Sequence, residues 1–547
     1  MNFFCYNTLY ALSQKRSSQN IMKMSLYKTL SILFWCFTCN TLVAQNILRV
    51  AITQNVGALN PQGYNTNAMF AQNMVYEGLV RLDKNGVLSP SLAISWEISN
   101  DGKVYVFTLR EGVEFSNGES FNADAVVLNF ESILKNKVRH SWCGLIHALD
   151  SVKKIDDSHI ELHLKYPYAP TLYELSLIRP FRFLAPSAFP PDLDLIKHDP
   201  KPIGTGPYML VDSQPGISDS FKKNEHYWDK DRYNGIYFDT IIMRVIFDPN
   251  TKLSALKSGQ IDLIYGYDII PIEMFLQIWH DKNLKTYLSE PIFITSLVLN
   301  SNKLPAYMRE AIATAINKQE LVRGVYGDMQ PCSDWLFITR DTLPNFQPQS
   351  HTQKKQYDFS SKSCQAPDTK KAKALLTQAN PTLQAPIKLE LLYSGDSPAQ
   401  KMLAQILAYE LQSIGIELNL SASEPTIYRN RQLHGNFEIS FNDTWGVPYE
   451  PLSILYSMLT PSHIDFSAQS GLENVDTIRT LITELLAQNP HSNNAQTLLK
   501  QILSLLSQSN VYIPLTAQRN KAIANKDIKG IQMGILSYEI PFWEFYK

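Results

Sequence analysis

The sequence predicts an α/β protein with more than one sheet, divided into two or more lobes. Strand and helix signals alternate along the whole chain. The roughly 500 residues that follow an N-terminal leader exceed what a single hydrophobic core holds. No fixed-period repeat or low-complexity linker interrupts the pattern.

Val104 to Leu109 (VYVFTL), Thr240 to Ile246 (TIIMRVI) and Lys388 to Tyr393 (KLELLY) are rich in β-branched, aromatic and aliphatic residues and read as strands. Met308 to Val325 carries apolar residues at helical spacing, with Gly327 as a stop. Met402 to Ile414 reads as a second helix, closed by Gly415. Gln347 to Asp368, rich in Gln, Ser, Lys and Pro, is the best candidate for a long surface loop.

The leader reads as a secretory signal. Lys23 and Lys28 precede an apolar run from Leu30 to Cys39, and Leu42-Val43-Ala44 places a small residue before Gln45. The run is shorter than the ~20 residues a membrane span needs. Residues 1–21 lie upstream of this architecture, so Met22 or Met24 is an alternative start. Trp35 and Thr38, which precede Cys36 and Cys39, do not form the small-residue pattern of a lipid-anchor site. The expectation is an exported periplasmic chain with residues 1–44 removed as a signal peptide.

Removing residues 1–44 takes away Lys15, Arg16, Lys23 and Lys28 and no acid, so the formal charge moves from −1 to −5. That balance argues against nucleic acid or an anionic membrane surface as a partner. Cys143, Cys332 and Cys364 remain. In an oxidising compartment Cys332 and Cys364 could close a loop and leave Cys143 free. No paired-cysteine zinc spacing occurs.

A family resemblance then becomes specific. Pro90 to Trp96 (PSLAISW), Asp101-Gly102-Lys103, Phe107 to Arg110, Phe115 to Gly118 and Phe121-Asn122-Ala123 resemble the signature of the large periplasmic solute-binding proteins of peptide and nickel ABC importers. Pro202 to Tyr208 (PIGTGPY), Asn224 to Trp228 (NEHYW) and Gly259 to Leu263 (GQIDL) agree, so the likeness covers nearly the whole mature chain. These pieces have structural explanations, since Gly and Pro shape turns and Trp96 and Trp228 fill cores. They report fold, and fold alone does not set the ligand.

The resemblance implies an α/β bilobal periplasmic binding protein fold, with two mixed-sheet lobes around a hinge cleft and an extra subdomain in lobe one. Lobe one would span residues 45–288, lobe two 289–515, and residues 516–547 would return to lobe one. Ligand-driven hinge closure would be the signal that a permease reads.

Within that family the chain resembles the nickel-binding branch. Asn55 to Pro61 with Tyr64 and Met69 to Gln72, Arg139 to Trp142, Arg179 to Phe183, Trp445 to Tyr449 and Pro461 to Phe466 are similar to its cleft segments. Asn65 departs from the threonine usual there. The resemblance implies that Tyr64, Met69, Arg139, Trp142, Arg179, Trp445 and Tyr449 contact a chelator and that His463 contacts the metal.

The residue types suit those roles. Arg139 and Arg179 offer planar cationic forks for carboxylates. Trp142, Trp445 and Tyr449 can wall a chelate and exclude water, although lone aromatics more often fill cores. Met69 offers a soft thioether, although gap-filling is its commoner use. Arg182 and His140 read as structural. Neutral imidazole suits a borderline metal, but most of eleven histidines are expected on the surface or satisfied in the core. One histidine cannot hold an ion alone, so the metal would arrive already chelated.

The implied function is capture of nickel(2+), complexed with a small chelator such as histidine or a polycarboxylate, for delivery to the inner-membrane permease subunits of an ABC importer. The protein would be a monomer and would hold no permanent cofactor. The alternative is a di- or oligopeptide-binding protein on the same fold, which needs an acidic group for the peptide N-terminus. A metal-dependent hydrolase using His463 with His434 or His491 finds no support in H-E-x-x-H or nucleophile motifs, so an enzyme is not expected.

Overall fold

The computed structural model describes residues 45–63, 66–230, 235–266, 269–338, 364–379, 386–447, 450–490, 492–536 and 538–547. Ten strands form one mixed sheet, in the order β14-β13-β15-β12-β16-β11-β1-β10-β9-β8. They are β1 (Ile47–Ile52), β8 (Tyr208–Gln214), β9 (Ser218–Lys223), β10 (Thr240–Val245), β11 (Leu263–Gly266), β12 (Leu284–Leu299), β13 (Ile387–Ser394), β14 (Ile416–Ser423), β15 (Ile439–Asp443) and β16 (Tyr512–Asn525).

β12 and β16 are the long central pair. They run antiparallel from Leu284 opposite Asn525 to Val298 opposite Tyr512. The register shifts on either side of Pro291, which has no backbone N–H to give to a ladder. Before the shifts β16 pairs with β11, and beyond them β12 pairs with β15. Among the described strands this pair joins the two halves of the sheet, and each half has a core of its own. Leu48, Val50, Phe221, Ile241 and Leu263 belong to one core. Leu299, Ile312, Leu391, Leu407 and Ile439 belong to the other.

On the second half, β13 pairs in parallel with β14 on one side and with β15 on the other. Parallel neighbours require crossovers, and helices Pro398–Gln412 and Pro425–Leu433 supply them. Loops at the carboxyl ends of strands that diverge in this way are where α/β sheets place ligands.

Four further strands, β4 (Ala93–Ile98), β5 (Val104–Leu109), β6 (Leu149–Asp156) and β7 (His159–Leu164), make an antiparallel sheet in the order β4-β5-β7-β6. The helix Ala123–Lys135 contributes Ala125, Val126, Phe130 and Ile133 to the core of this sheet. That core continues through Phe181 and Phe183 into Leu455, Met458, Ile478 and Ile502. A small hairpin of β2 (Val80–Leu82) and β3 (Leu88–Pro90) stands beside it.

The glycines of PIGTGPY report fold, as expected. A Cβ on Gly204 or Gly206 would lie 2.0 or 2.4 Å from a backbone carbonyl oxygen of Val75 or Met74. This close approach brings Thr205 Oγ1 and Trp228 Nε1 each to 2.9 Å from the buried Glu77 carboxylate.

The expected helix Met308 to Val325 is two helices, Ala306–Ala315 and Lys318–Tyr326. Ile316 is extended, and Asn317 caps the second helix by accepting from the Glu320 N–H. The expected helix Met402 to Ile414 begins earlier, at Pro398 behind the Ser397 cap. Cys332 and Cys364 form a disulfide with Cα atoms 6.1 Å apart, and Cys143 is a buried free thiol. Most of the predicted loop Gln347 to Asp368 lies outside the described residues.

Candidate functional site

A cavity of about 820 Å³ lies where the loops after β14 and β15 face segments from the start of the chain and the C-terminal tail. It is lined by Met69, Trp142, Arg179, Arg429, Trp445 and His463, with Phe293, Tyr428, Asp443, Asp465 and Tyr538 also on its walls.

The Trp445 loop is held by the sheet. The Thr444 N–H donates to the Ile294 carbonyl at 2.9 Å, and the Ile294 N–H returns a bond to Thr444 Oγ1 at 2.8 Å. Gly446 turns the chain at φ +89°, which L side chains rarely adopt. Val447 then packs with Met69, Leu177, Ile178 and Leu536 in a small apolar cluster. Met69 is thus a packing residue that also faces the cavity.

His463 occupies the N-cap position of the helix Ile464–Gln469. Its ring stacks on Trp445, with centroids 5.4 Å apart and planes 9° from parallel. Trp445 in turn meets Trp142 edge-on at 5.3 Å. His463 Nε2 lies 3.0 Å from the Trp142 carbonyl oxygen. A carbonyl only accepts, so Nε2 carries the hydrogen and the neutral ring keeps its lone pair on Nδ1. Burial holds the imidazole below its ordinary pKa, Arg429 adds to this, and Asp465 and the Trp142 bond oppose it. The ring is therefore neutral over the physiological range.

Asp465 is buried and accepts from Ser457 Oγ at 2.7 Å and the Tyr512 hydroxyl at 3.0 Å. Arg179 is half-buried and donates to the Gly63 carbonyl at 3.3 Å. His140 is fully buried and is pushed down to about 4 by burial first and then by the charges of Arg139 and Arg179. Both guanidinium groups therefore stand near one neutral imidazole.

Behind this wall, two buried carboxylates meet. Glu174 accepts from Cys143 Sγ, the Leu145 N–H and the Tyr168 hydroxyl. Glu450 accepts from the backbone N–H groups of Leu452 and Ser453. Burial pushes Glu450 up to about 7, and the charge of Glu174 adds to that.

Residues 87–466 match the family model described as the middle region of bacterial extracellular solute-binding proteins, family 5. The chain belongs to family 5. It is 36% identical over 538 residues to the nickel-binding periplasmic protein of Escherichia coli K12, covering 95% of this chain and 98% of that one. NikA from Brucella suis, solved in complex with Fe(III)-EDTA, superposes with a TM-score of 0.82 at 37% identity, covering 91% and 99% of the two chains. The dipeptide-binding protein DppE of Bacillus subtilis is 24% identical over 497 residues, 86% of each chain. The family 5 fold is the mixed α/β solute-binding fold described above. No described helix is long and apolar enough to cross a membrane.

Met69, Trp142, Arg179, Trp445 and His463, all singled out from the sequence, come together in one cavity. Arg139 does not line it. It follows the helix Ala123–Lys135 in a turn closed by its N–H to the Asn136 carbonyl, and its side chain is exposed. Tyr64 and Tyr449 lie outside the described residues. Arg182 is buried and donates to the Ser176 carbonyl, a structural role. Sequence reasoning missed Arg429, Tyr428 and Asp465. Arg429 sits in a polar helix with no local motif, and only the crossover after β14 brings it to the cavity.

Proposed function

We propose that this chain is an extracytoplasmic solute-binding protein that captures nickel(2+) in complex with a small chelator and delivers it to the permease of an ABC importer. The observation that carries this is the composition of the cavity wall. One neutral histidine stacks on a tryptophan pair, with guanidinium groups near it. Among the described residues no group of three His, Cys, Asp or Glu is placed to hold a metal ion. A bare ion would lack ligands, whereas a chelate brings its own and leaves one position for imidazole. The E. coli relative is named for nickel and the B. suis relative holds a metal polycarboxylate, which supports the same reading.

Arg179 binds a chelator carboxylate, Trp142 and Trp445 wall the complex, and His463 supplies the protein's ligand to the metal. Met69, Tyr64, Tyr449 and Arg139 are assigned with them on the family resemblance. The lobes meet near residues 288 and 515, a reading supported by the register shifts around Pro291. Closure of the lobes presents the loaded form to the permease. The mature chain begins at Gln45 in the periplasm, acts as a monomer, holds no permanent cofactor and performs no catalysis.

A peptide-binding function has one observation in its favour. Asp443 lines the cavity half-buried, where it could meet a peptide N-terminus. The stacked histidine has no use in that reading. Calorimetry of the mature protein separates the two. Saturable binding of nickel–histidine or a nickel polycarboxylate, with no heat from dipeptides, is expected. Dipeptide binding without nickel-chelate binding would overturn the proposal.

A further inference from the structure

We propose that Arg429 is a specificity-determining residue that binds a chelator carboxylate from the side of the cavity formed by the crossover after β14, while Arg179 binds from the Met69 side. This deepens the proposed function and rests on it. The substrate class becomes a metal chelate with carboxylates directed to both sides of the metal.

Arg429 lies in the helix Pro425–Leu433 and lines the cavity together with Arg179 and His463. Its side chain is solvent-accessible and makes no hydrogen bond or ion pair with any described residue. Neighbouring arginines are committed. Arg431 pairs with Glu390 at 2.6 Å and donates to Ser421 Oγ and the Asn436 carbonyl. Arg479 stacks on Phe466 at 4.0 Å and donates to Ser470 Oγ. The anion whose field reaches Arg429 is Asp465, whose oxygens already accept from Ser457 and Tyr512. Arg429 therefore feels an attractive field without a direct partner among the described residues, and its donors are turned to the cavity for a ligand.

Solvent access does not mean full hydration here. Enough protein surrounds the guanidinium to hold its pKa below the ordinary value, with Asp465 opposing. A ligand carboxylate would restore the interactions that were lost, in the planar geometry that suits a fork. Asp443 and Asp465 on the same walls would repel an anion approaching without a cationic contact, so Arg429 decides whether that side accepts carboxylate at all.

The test is calorimetry with the nickel–EDTA complex on the wild-type protein, R429Q, R429K, R179A and the double variant R179A/R429Q. R429Q should bind about tenfold or more weakly, the scale of a charged hydrogen bond. R429K should recover part of the loss, and the losses of R179A and R429Q should multiply in the double variant, as for separate contacts. The unliganded unfolding midpoint of R429Q should stay close to wild type, since the side chain is exposed and makes no hydrogen bond or ion pair with a described residue. Unchanged affinity in R429Q, with wild type binding and R179A weakened, would overturn the assignment of Arg429 alone. A wild-type protein that binds no nickel chelate would overturn the proposed function and this inference together. A fall in unliganded stability that accounts for the loss of binding would make Arg429 structural and overturn the inference.

Discussion

Replacing His463 with alanine tests both what this residue does without ligand and what it does to the metal. In the metal-free state the ring donates to the Trp142 carbonyl at 3.0 Å and stacks on Trp445. Losing the hydrogen bond leaves that carbonyl without this partner and costs about 1–2 kcal/mol. Losing the stack costs about 0.5–1.5 kcal/mol. The unliganded protein should therefore lose roughly 2–3 kcal/mol by urea unfolding, more than a solvent-facing ligand residue would. Binding should also weaken, and its pH dependence should change.

Because burial depresses the folded pKa of His463, the ring stays neutral below the ordinary ~6.5 of histidine. Nickel–histidine affinity, corrected for protonation of the chelator, should then stay flat as pH falls through 6.5 and drop only lower. The stability that His463 contributes has a related dependence. The unfolded state binds its proton first, so this contribution is present above ~6.5 and is lost as pH falls from there through the lowered folded value. X-ray absorption at the nickel edge should show one imidazole fewer in H463A, measured with a chelator that leaves a coordination site open. An unchanged shell together with an unchanged pH profile would refute direct ligation. A wild-type acid limb at or above 6.5 would refute the burial argument.

R179A should weaken chelate binding by about 1.5–3 kcal/mol, with a smaller change in unliganded stability. NMR titration should also find His140 above its wild-type value, since Arg179 is one of the charges that depress it. Glu450, pushed up to about 7, keeps its proton in the folded state between its ordinary 4.5 and that value, so stability should fall as pH rises through this window. Glu450→Gln stays neutral and can still accept from Leu452, so it should reduce the loss of urea resistance between pH 5 and 8 by up to ~3 kcal/mol. Breaking the Cys332–Cys364 bond, which spans 32 residues, should lower stability by about 3–4 kcal/mol on the loop-entropy scale. A change below about 1 kcal/mol under reducing conditions would contradict that scale.

Local features were the readable ones. The run Val104 to Leu109 matches β5 residue for residue, because its alternation is the burial pattern of a half-covered sheet. The export signal left a Cys332–Cys364 bond open as one option, and only the 6.1 Å approach of their Cα atoms in the fold decides it. Helix extent was less readable between Met308 and Val325, where apolar periodicity continues across Asn317 but the cap of a second helix prevails. The pairing of β12 with β16 joins residues more than 200 apart, and no local signal encodes such a register. In the cavity, Trp445 and His463 were legible because they lie in short aromatic segments that resemble the family's. Arg139 and Arg179 look alike as residue types, yet only Arg179 lines the cavity, since a single turn after a helix decides where Arg139 stands. Arg429 required the crossover after β14 to be drawn in space.

Mass spectrometry under non-denaturing conditions, on protein purified from the periplasm, decides whether this protein carries a metal already wrapped in a chelator. The expected result is a bound species with the nickel isotope pattern plus the mass of a small carboxylate-bearing chelator, lost on denaturation. A ladder of peptide masses in its place would contradict it.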